Sequence, residues 1–381
     1  MQADFHYYAT YCAAILAGYT HDEALDLCYS AQFVDCCTKT FLKSVGASVH
    51  AATSQSQAEL VDTRADMVGL QDITRIWSSF HFLPKDLKAV TPRATKAYKN
   101  KYRLICGPNG ELLKATVELA KSRSLQASGI AMHVLADTWA HMNFAGTPSL
   151  VINNTTNDFY EVMFDGTLSK ISFKHAPGAS DDIENFTYNS TVFNPSENNI
   201  LNLGHGHAGH LPDYSFIRYK YLPAWDGYRE CLKDNPSDYR KAFCQMIYAM
   251  RYLRGDIETV ETDTYDEETV KPYRERITEI LTKRQLDASE DWKVFGEELS
   301  GQDIPDFDVN RYASEYMHAE DKDDTFLGKF ILAALSQKSM VTNKIFSSGN
   351  SLAGFSIDYQ KKGFGGIKDY MKLVMEKRDN S

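Results

Sequence analysis

No stretch of this sequence approaches the roughly 18 consecutive apolar residues that a membrane-spanning helix needs, so none is expected. An extended Lys/Arg stripe is also missing: 41 basic residues stand against 51 acidic ones, for a net charge of −10. Such a surface cannot displace the counterions of a polyphosphate, which argues against a general nucleic-acid binder and for a small-molecule substrate. C-x-x-C pairs are absent; Cys12, Cys28, Cys36, Cys37, Cys106, Cys231 and Cys244 are scattered, and their number is odd. Reduced thiols in a cytoplasmic protein are the simplest account. The opening Met-Gln-Ala-Asp-Phe-His-Tyr-Tyr has no basic region and the apolar run Cys12 to Ala17 is short, so a cleavable signal peptide is not expected, although export without one stays open. Neither repeats nor low-complexity runs are present.

What is there describes an ordered globular chain. Hydrophobic residues make up 43% and aromatics 12% of 381 residues, enough for a sizeable core. The periodicity predicts a mainly α fold, a multi-helix bundle in a single domain. Residues 5–17 read as a buried helix ended by Gly18, and Thr20 with Glu23 as a capping box opening a second helix to about Asp35. Residues 44–90 give mixed signals, with Ile73, Ile76, Trp77, Phe80 and Phe82 suggesting an extended or irregular segment. Helices are expected over 111–121 and from Ser124 to near Gly146-Thr147-Pro148. Residues 149–175 read as a small β-hairpin insertion, and 176–225 as a long loop rich in Asn, Gly, Pro and His. Further helices are expected near 236–253, 267–285, 288–299, 308–318, 325–346 and 366–377. Residues 1–230 would form the metal-site core and 231–381 a C-terminal helical part.

The chemistry concentrates in His133, Asp137 and His141. At about 100° per residue a four-residue step advances roughly 40°, so the three share one helix stripe, and the apolar residues between them turn that stripe inward. Two imidazoles flanking a carboxylate suit zinc, and Asp137 has two oxygens with which to bridge two ions. The plainer alternative is that the three satisfy one another inside a helical core. Ligand-type residues recur in four other settings: Asp4-Phe5-His6, Asp35 at the end of the second helix, His81 between two phenylalanines, and Gly204-His205-Gly206-His207-Ala208-Gly209-His210-Leu211-Pro212-Asp213. In the last, His205 and Asp213 are the expected working pair. His21, His50, His175 and His318 read as surface residues, and Cys36 and Cys37 as packing residues.

The segments Asp4-Phe5-His6-Tyr7-Tyr8, Ser30-Ala31-Gln32-Phe33-Val34-Asp35, Phe80-His81-Phe82-Leu83-Pro84, the His133/Asp137/His141 run through Gly146, and Gly204 to Asp213 resemble those of an uncharacterised bacterial family, a domain of unknown function, over roughly residues 3–230. More distantly, the ligand order is similar to that of the zinc-dependent phospholipase C and P1 nuclease superfamily. That resemblance implies an all-helical fold and a zinc cluster held by His6, Asp35, His81, His133, Asp137, His141, His205 and Asp213, with Asp137 bridging. The chain begins Met-Gln where that superfamily carries a processed tryptophan, which weighs against an amine ligand and favours two ions over three. No H-x-x-x-E follows His141.

The resulting expectation is a metal-dependent hydrolase of a phosphoester, with two or three zinc ions, or manganese or iron in their place. The ions would lower the pKa of a bound water to about 7 and clamp a phosphoryl oxygen. Asp35, or Asp4, would act as base. Tyr7, Phe82, Trp139, Phe144 and Tyr214 would form the pocket walls, and Arg218 or Lys220 would receive a phosphate. The rivals are amide or carboxylic-ester cleavage at the same cluster, a binding or effector protein in which metal only ties helices together, and a phosphohydrolase built on His21-Asp22.

Overall fold

The computed structural model describes residues 1–62, 67–87, 104–147, 153–176, 178–190 and 204–348. The helix expected over 366–377 lies outside them. The chain is mainly α. It opens with a wide π-helical turn, Asp4–Ala9, that runs into α1 (Thr10–Leu16). α2 (His21–Cys36) starts at the expected capping box: the Glu23 carboxylate accepts from the Thr20 amide while the Glu23 amide donates to Thr20 Oγ1. α3 (Lys39–Ser44), α4 (Gln57–Asp62) and α5 (Met67–Ile76) follow, and α5 continues into a second π-helical turn, Trp77–His81. Here the extended reading of 73–82 is corrected. Ile73, Ile76 and Phe80 are buried at spacings of three and four, which places them on one helical face. The extra residue in the wide turn hides the regular period from the sequence.

After α6 (Glu111–Ala120) comes the helix around which the rest packs, α7 (Leu125–Ala140). Ser124 caps it, and every residue from Gln126 to Ala140 is buried. That burial follows from its neighbours: α7 lies against α2, α6, α9 (Asn235–Arg254) and α14 (Phe326–Ser347), one on nearly every side. It ends at His141, earlier than the Gly146-Thr147-Pro148 signal implied. Gly129 sets its closest approach, since a Cβ there would stand 2.4 Å from the Leu27 carbonyl oxygen and 2.5 Å from Ser30 Cβ of α2. The span expected as one helix over 267–285 is two, α10 (Glu267–Val270) and α11 (Arg274–Thr282), parted at Pro272 because proline has no amide to continue the ladder. α12 (Ser289–Ser300) and α13 (Ala313–His318) complete the outer layer.

The hairpin expected within 149–175 is present as β1 (Tyr160–Val162) and β2 (Leu168–Lys170), but it is not isolated. β5 (Arg218–Tyr221) and β6 (Cys231–Asp234) join it in an antiparallel sheet ordered β2-β1-β5-β6, while β3 (Ser172–Lys174) and β4 (Thr187–Asn189) pair in parallel. The stretch 176–225 therefore holds strands as well as loop. Glu161, Tyr219 and Lys233 sit abreast on the inner face, and Tyr219 and Tyr221 cover a second apolar cluster with Phe144, Phe159, Ile171 and Leu211. Lys233, fully buried, donates to the Trp139 carbonyl at 2.9 Å and pairs with Asp238. The sheet is thereby fastened to the C-terminal end of α7, where a cation also interacts favourably with the helix dipole.

Candidate metal centre

Five segments deliver ligand atoms to one place. α7 supplies His133 and Asp137 with His141 one residue past its end; the first wide turn supplies His6; α2 supplies Asp35 in its last turn; the second wide turn supplies His81. The fifth is the glycine-rich loop bearing α8 (His205–Ala208) and Asp213. Glycine is required in that loop: Gly204 has φ +53° and a Cβ there would lie 2.0 Å from Asn153 Oδ1, and Gly209 has φ +59° with the Asn189 carbonyl 2.0 Å from its Cβ position.

Three sets of donors result: His6, His133 and Asp137; Asp35, His81 and His133; His141, His205 and Asp213. Asp137 is at their centre. Its Oδ1 lies 3.1 Å from His6 Nε2, and its Oδ2 lies 3.1 Å from His133 Nε2 and 3.2 Å from His81 Nδ1. Asp35 is 3.7 Å from His81 Nδ1, 3.9 Å from His133 Nε2 and 4.0 Å from His6 Nε2. Asp213 Oδ1 lies 3.2 Å from His205 Nε2 and 3.3 Å from His141 Nε2. Tetrahedral ligation with bonds of about 2.0–2.2 Å puts ligand atoms about 3.3–3.6 Å apart, and the distances here, 3.1 to 4.0 Å, lie on either side of that spacing.

The tautomers test the fit. His133 Nδ1 faces the Ala31 carbonyl at 2.9 Å, His81 Nε2 the Thr53 carbonyl at 2.8 Å, and His141 Nδ1 the His81 carbonyl at 2.6 Å. Each carbonyl can only accept, so each of those nitrogens carries a proton, and a neutral ring would turn the lone pair of its other nitrogen to the cluster. With both rings neutral, His81 Nδ1 and His133 Nε2 meet lone pair to lone pair at 3.3 Å, an arrangement that a shared cation stabilises. His6 and His133 rings stack at 3.9 Å, and His6 Nδ1 is buried without a hydrogen-bond partner. The donor set suits a divalent ion.

Burial, followed by the neighbouring His133, pushes the His6 imidazolium down to about 4, which keeps the ring in its ligand form. For Asp137 burial opposes ionisation, but His141, the Met1 ammonium, His133 and His6 together hold its carboxyl well below the usual range. Asp213 is held low as well, burial again being outweighed, here by His205 and the Met1 ammonium. That ammonium was not expected at the site. It lies 2.9 Å from Asp137 Oδ1 and 3.2 Å from Asp213 Oδ1; burial lowers its pKa, yet Asp137, Asp213 and Asp35 hold it up at about 11.

The donors open onto a cavity of about 290 Å³ whose wall includes Asp35, His81, Phe82, Asp137, His205 and Asp213. Of the expected wall aromatics, Phe82 lines this cavity and stacks on His141 at 4.7 Å, Phe144 packs behind His205 with centroids 6.0 Å apart, and Tyr214 faces a neighbouring cleft. Tyr7 and Trp139 do not reach the cavity. Tyr7 follows His6 and points away, donating to the Pro305 carbonyl, and Trp139, two residues past Asp137 and so about 200° around the helix, donates to Gln245. Arg218 pairs across the sheet with Asp234, and Lys220 with Glu230, so neither is directed at the cluster. Asp4, also buried, turns away from the cluster: its carboxylate accepts from the Phe5 and Ala288 amides. His210 touches Asp213 from the rim and His207 meets Asn157. His21 bonds to Tyr11 and contributes to none of the three donor sets. All seven cysteines are free; burial pushes the Cys36 thiol up to about 11 and the Cys37 thiol to about 12.

Among the described residues no helix is long and apolar enough to cross a membrane. Nothing among curated proteins and nothing among solved structures matches the chain. Residues 1–345, which include every ligand named above, match the model of a family of unknown function, DUF6765, and the chain belongs to that family.

Proposed function

We propose that this chain is a metal-dependent hydrolase whose substrate is a phosphoester. The observation that carries the reading is the convergence of histidine nitrogens oriented by backbone carbonyls on two buried carboxylates, His81 and His133 on Asp137 and His141 on Asp213, beside an open cavity. A closed structural site uses four protein ligands and leaves no position for water, whereas donors on a cavity wall leave one. His133, with one lone pair at Nε2, would hold one ion only, either with His6 and Asp137 or with Asp35 and His81, and His141, His205 and Asp213 would hold another, with zinc the best match to the imidazole and carboxylate set. When bound, such ions supply Lewis-acid charge to a phosphoryl oxygen and acidify water at neutral pH. Two or more ions in one cluster are better suited to the oxygens of a phosphoryl group than to a single carbonyl. The order of ligands along the chain, similar to that of the zinc-dependent phospholipase C and P1 nuclease superfamily, supports the same reading of activity and fold.

The chain's own groups complete the site. Asp35, about a third exposed at the cavity wall, accepts the proton of the attacking water. Phe82, stacked on His141, excludes bulk water from that side.

Metal content of protein prepared without added metal or a histidine tag tests the proposal. Two or more equivalents of zinc, manganese or iron are expected in the wild type, with at least half lost in Asp137→Ala, together with phosphodiester cleavage by the wild type. Failure to take up metal on titration would overturn the reading. Metal binding with cleavage of amide or carboxylic esters alone would transfer the site to those substrates.

A further inference from the structure

Away from the metal centre, a cleft of about 350 Å³ gathers positive charge from three elements: Lys39 opens α3, Arg75 belongs to the last turn of α5, and Lys338 lies within α14. Bringing like charges into one cleft is unfavourable, and this chain, with a net charge of −10, has no general excess of cations to explain it. Asp72 is the one carboxylate in the described lining, and Lys39 holds it at 2.9 Å.

Lys338 is the unusual member. Its ammonium has three N–H donors. Two go to the His50 and Ala52 carbonyls, at 2.7 and 2.6 Å, and neither acceptor carries a formal charge. Burial pulls its pKa down to about 8; Asp72 and the Cys37 thiol act against that shift, whereas Lys39 and Arg75 stand near enough to add to it by repulsion. Thr342 follows Lys338 by four residues and so shares its stripe of α14; its Oγ1 is buried in the same wall with no hydrogen-bond partner among the described residues. Ser339, exposed, adds a second hydroxyl. Ammonium and hydroxyl donors from two helices suit the tetrahedral oxygens of a phosphate better than the flat oxygen pair of a carboxylate. The volume leaves room for a small organic group beside Val49, Ile76 and Phe346.

The cleft also backs onto the supports of His81. The two carbonyls that Lys338 holds lead directly to Thr53, whose own carbonyl accepts from His81 Nε2 at 2.8 Å. Lys338 Nζ lies 5.9 Å from the centroid of the Phe80 ring, and the preceding Gln337 donates to the Ser79 carbonyl at 3.1 Å. α5, which carries Arg75, runs straight into the turn that bears His81.

We propose that this cleft binds a phosphate-bearing anion, inorganic phosphate or a small phosphate monoester, on Lys39 and Lys338 with Arg75 adding charge, and that its occupant steadies the segment and the turn that orient His81. The site is independent of what the metal centre hydrolyses, so full-length protein stripped of metal by a chelator is used. It is titrated by calorimetry with inorganic phosphate, glycerol phosphate and succinate, as wild type, Lys338→Met and Lys39→Gln. Lys39 is partly exposed, so its variant keeps the test open should Lys338→Met fold poorly. Phosphate and glycerol phosphate are expected to bind one per chain, at least tenfold more tightly than succinate, and each variant should weaken them at least tenfold. No binding at millimolar phosphate, or unchanged affinity in both variants, would overturn the site; succinate binding as tightly as phosphate would overturn the ligand class. Saturating phosphate should also slow hydrogen exchange over 50–54 and 77–83 at least threefold in the wild type and not in Lys338→Met. Binding with exchange unchanged there would overturn the link to His81.

Discussion

The donor nitrogens of this site are fixed by groups that carry no side-chain identity. Three histidines owe their tautomers to the carbonyls of Ala31, Thr53 and His81, and no reading of residue types could locate them. The ligand side chains themselves were legible, because His, Asp and His at four-residue steps admit one geometric meaning on a helix. The neighbouring aromatics were misjudged for a related reason: proximity in the chain says nothing of direction, and Tyr7 and Trp139 leave the backbone on other faces. At this scale Lys338 yields a test. Its ammonium donates to the His50 and Ala52 carbonyls, three residues and one residue before Thr53, and burial pulls its pKa down from 10.5 to about 8. The unfolded chain therefore holds this proton to higher pH than the folded one, so stability contributed at this position rises as pH climbs from about 8 towards 10.5. Buried tyrosines act in the opposite sense above pH 10, so the comparison must be with a variant. In urea denaturation the gap between wild type and Lys338→Met should move in favour of the wild type from pH 8 to pH 10; a constant gap would show that the amine is not buried as described.

Among the elements, the pairing of α2 with α7 decides whether the cluster exists. Gly129 precedes His133 by one four-residue step on the same stripe, so the point of closest helix approach and the first ligand are adjacent turns of one face. Gly129→Ala would push α7 away from Leu27 and Ser30 and weaken the contact of His133 with Ala31. Overpacking of this kind costs about 1–3 kcal/mol, and zinc affinity should fall with it, most clearly for the site that uses His133. Denaturation and competitive zinc titration measure the two; a loss of stability with unchanged zinc affinity would separate the packing from the ligand geometry. The two wide turns were the least legible elements, since a π-helical turn obeys neither the period of a helix nor that of a strand. The long segment over 176–225 was also underread, because strands of three or four residues barely establish an alternation.

Across the whole molecule, the metal site is where separate parts of the chain are joined. The residues that could hold ions there span 6 to 213, while the buried network from Lys233 to Trp139 and Asp238 brings the later helices to the same helix end. An ion bound only by the folded chain stabilises it by about 2.7 kcal/mol at a hundredfold excess over Kd, which in a protein of this size raises Tm by about 3 °C. Chelation should therefore lower Tm by that amount or more, reversibly on adding zinc, and hydrogen exchange should quicken first in 204–214 and 77–83. Unchanged Tm after verified metal removal would mean that the apolar core alone holds the five segments in place.

The two π-helical turns that carry His6 and His81 have a consequence for how such a chain tolerates changes in length. Each is an α-helical turn enlarged by one residue, and in each a ligand depends on the enlargement. A surface loop absorbs a lost residue by shortening. Here the loss of one residue between Trp77 and Phe80 would let the helix relax to the ordinary pitch and shift His81 relative to the cluster without removing any ligand-type residue from the sequence. Length, at these two places, is as much a part of the site as identity.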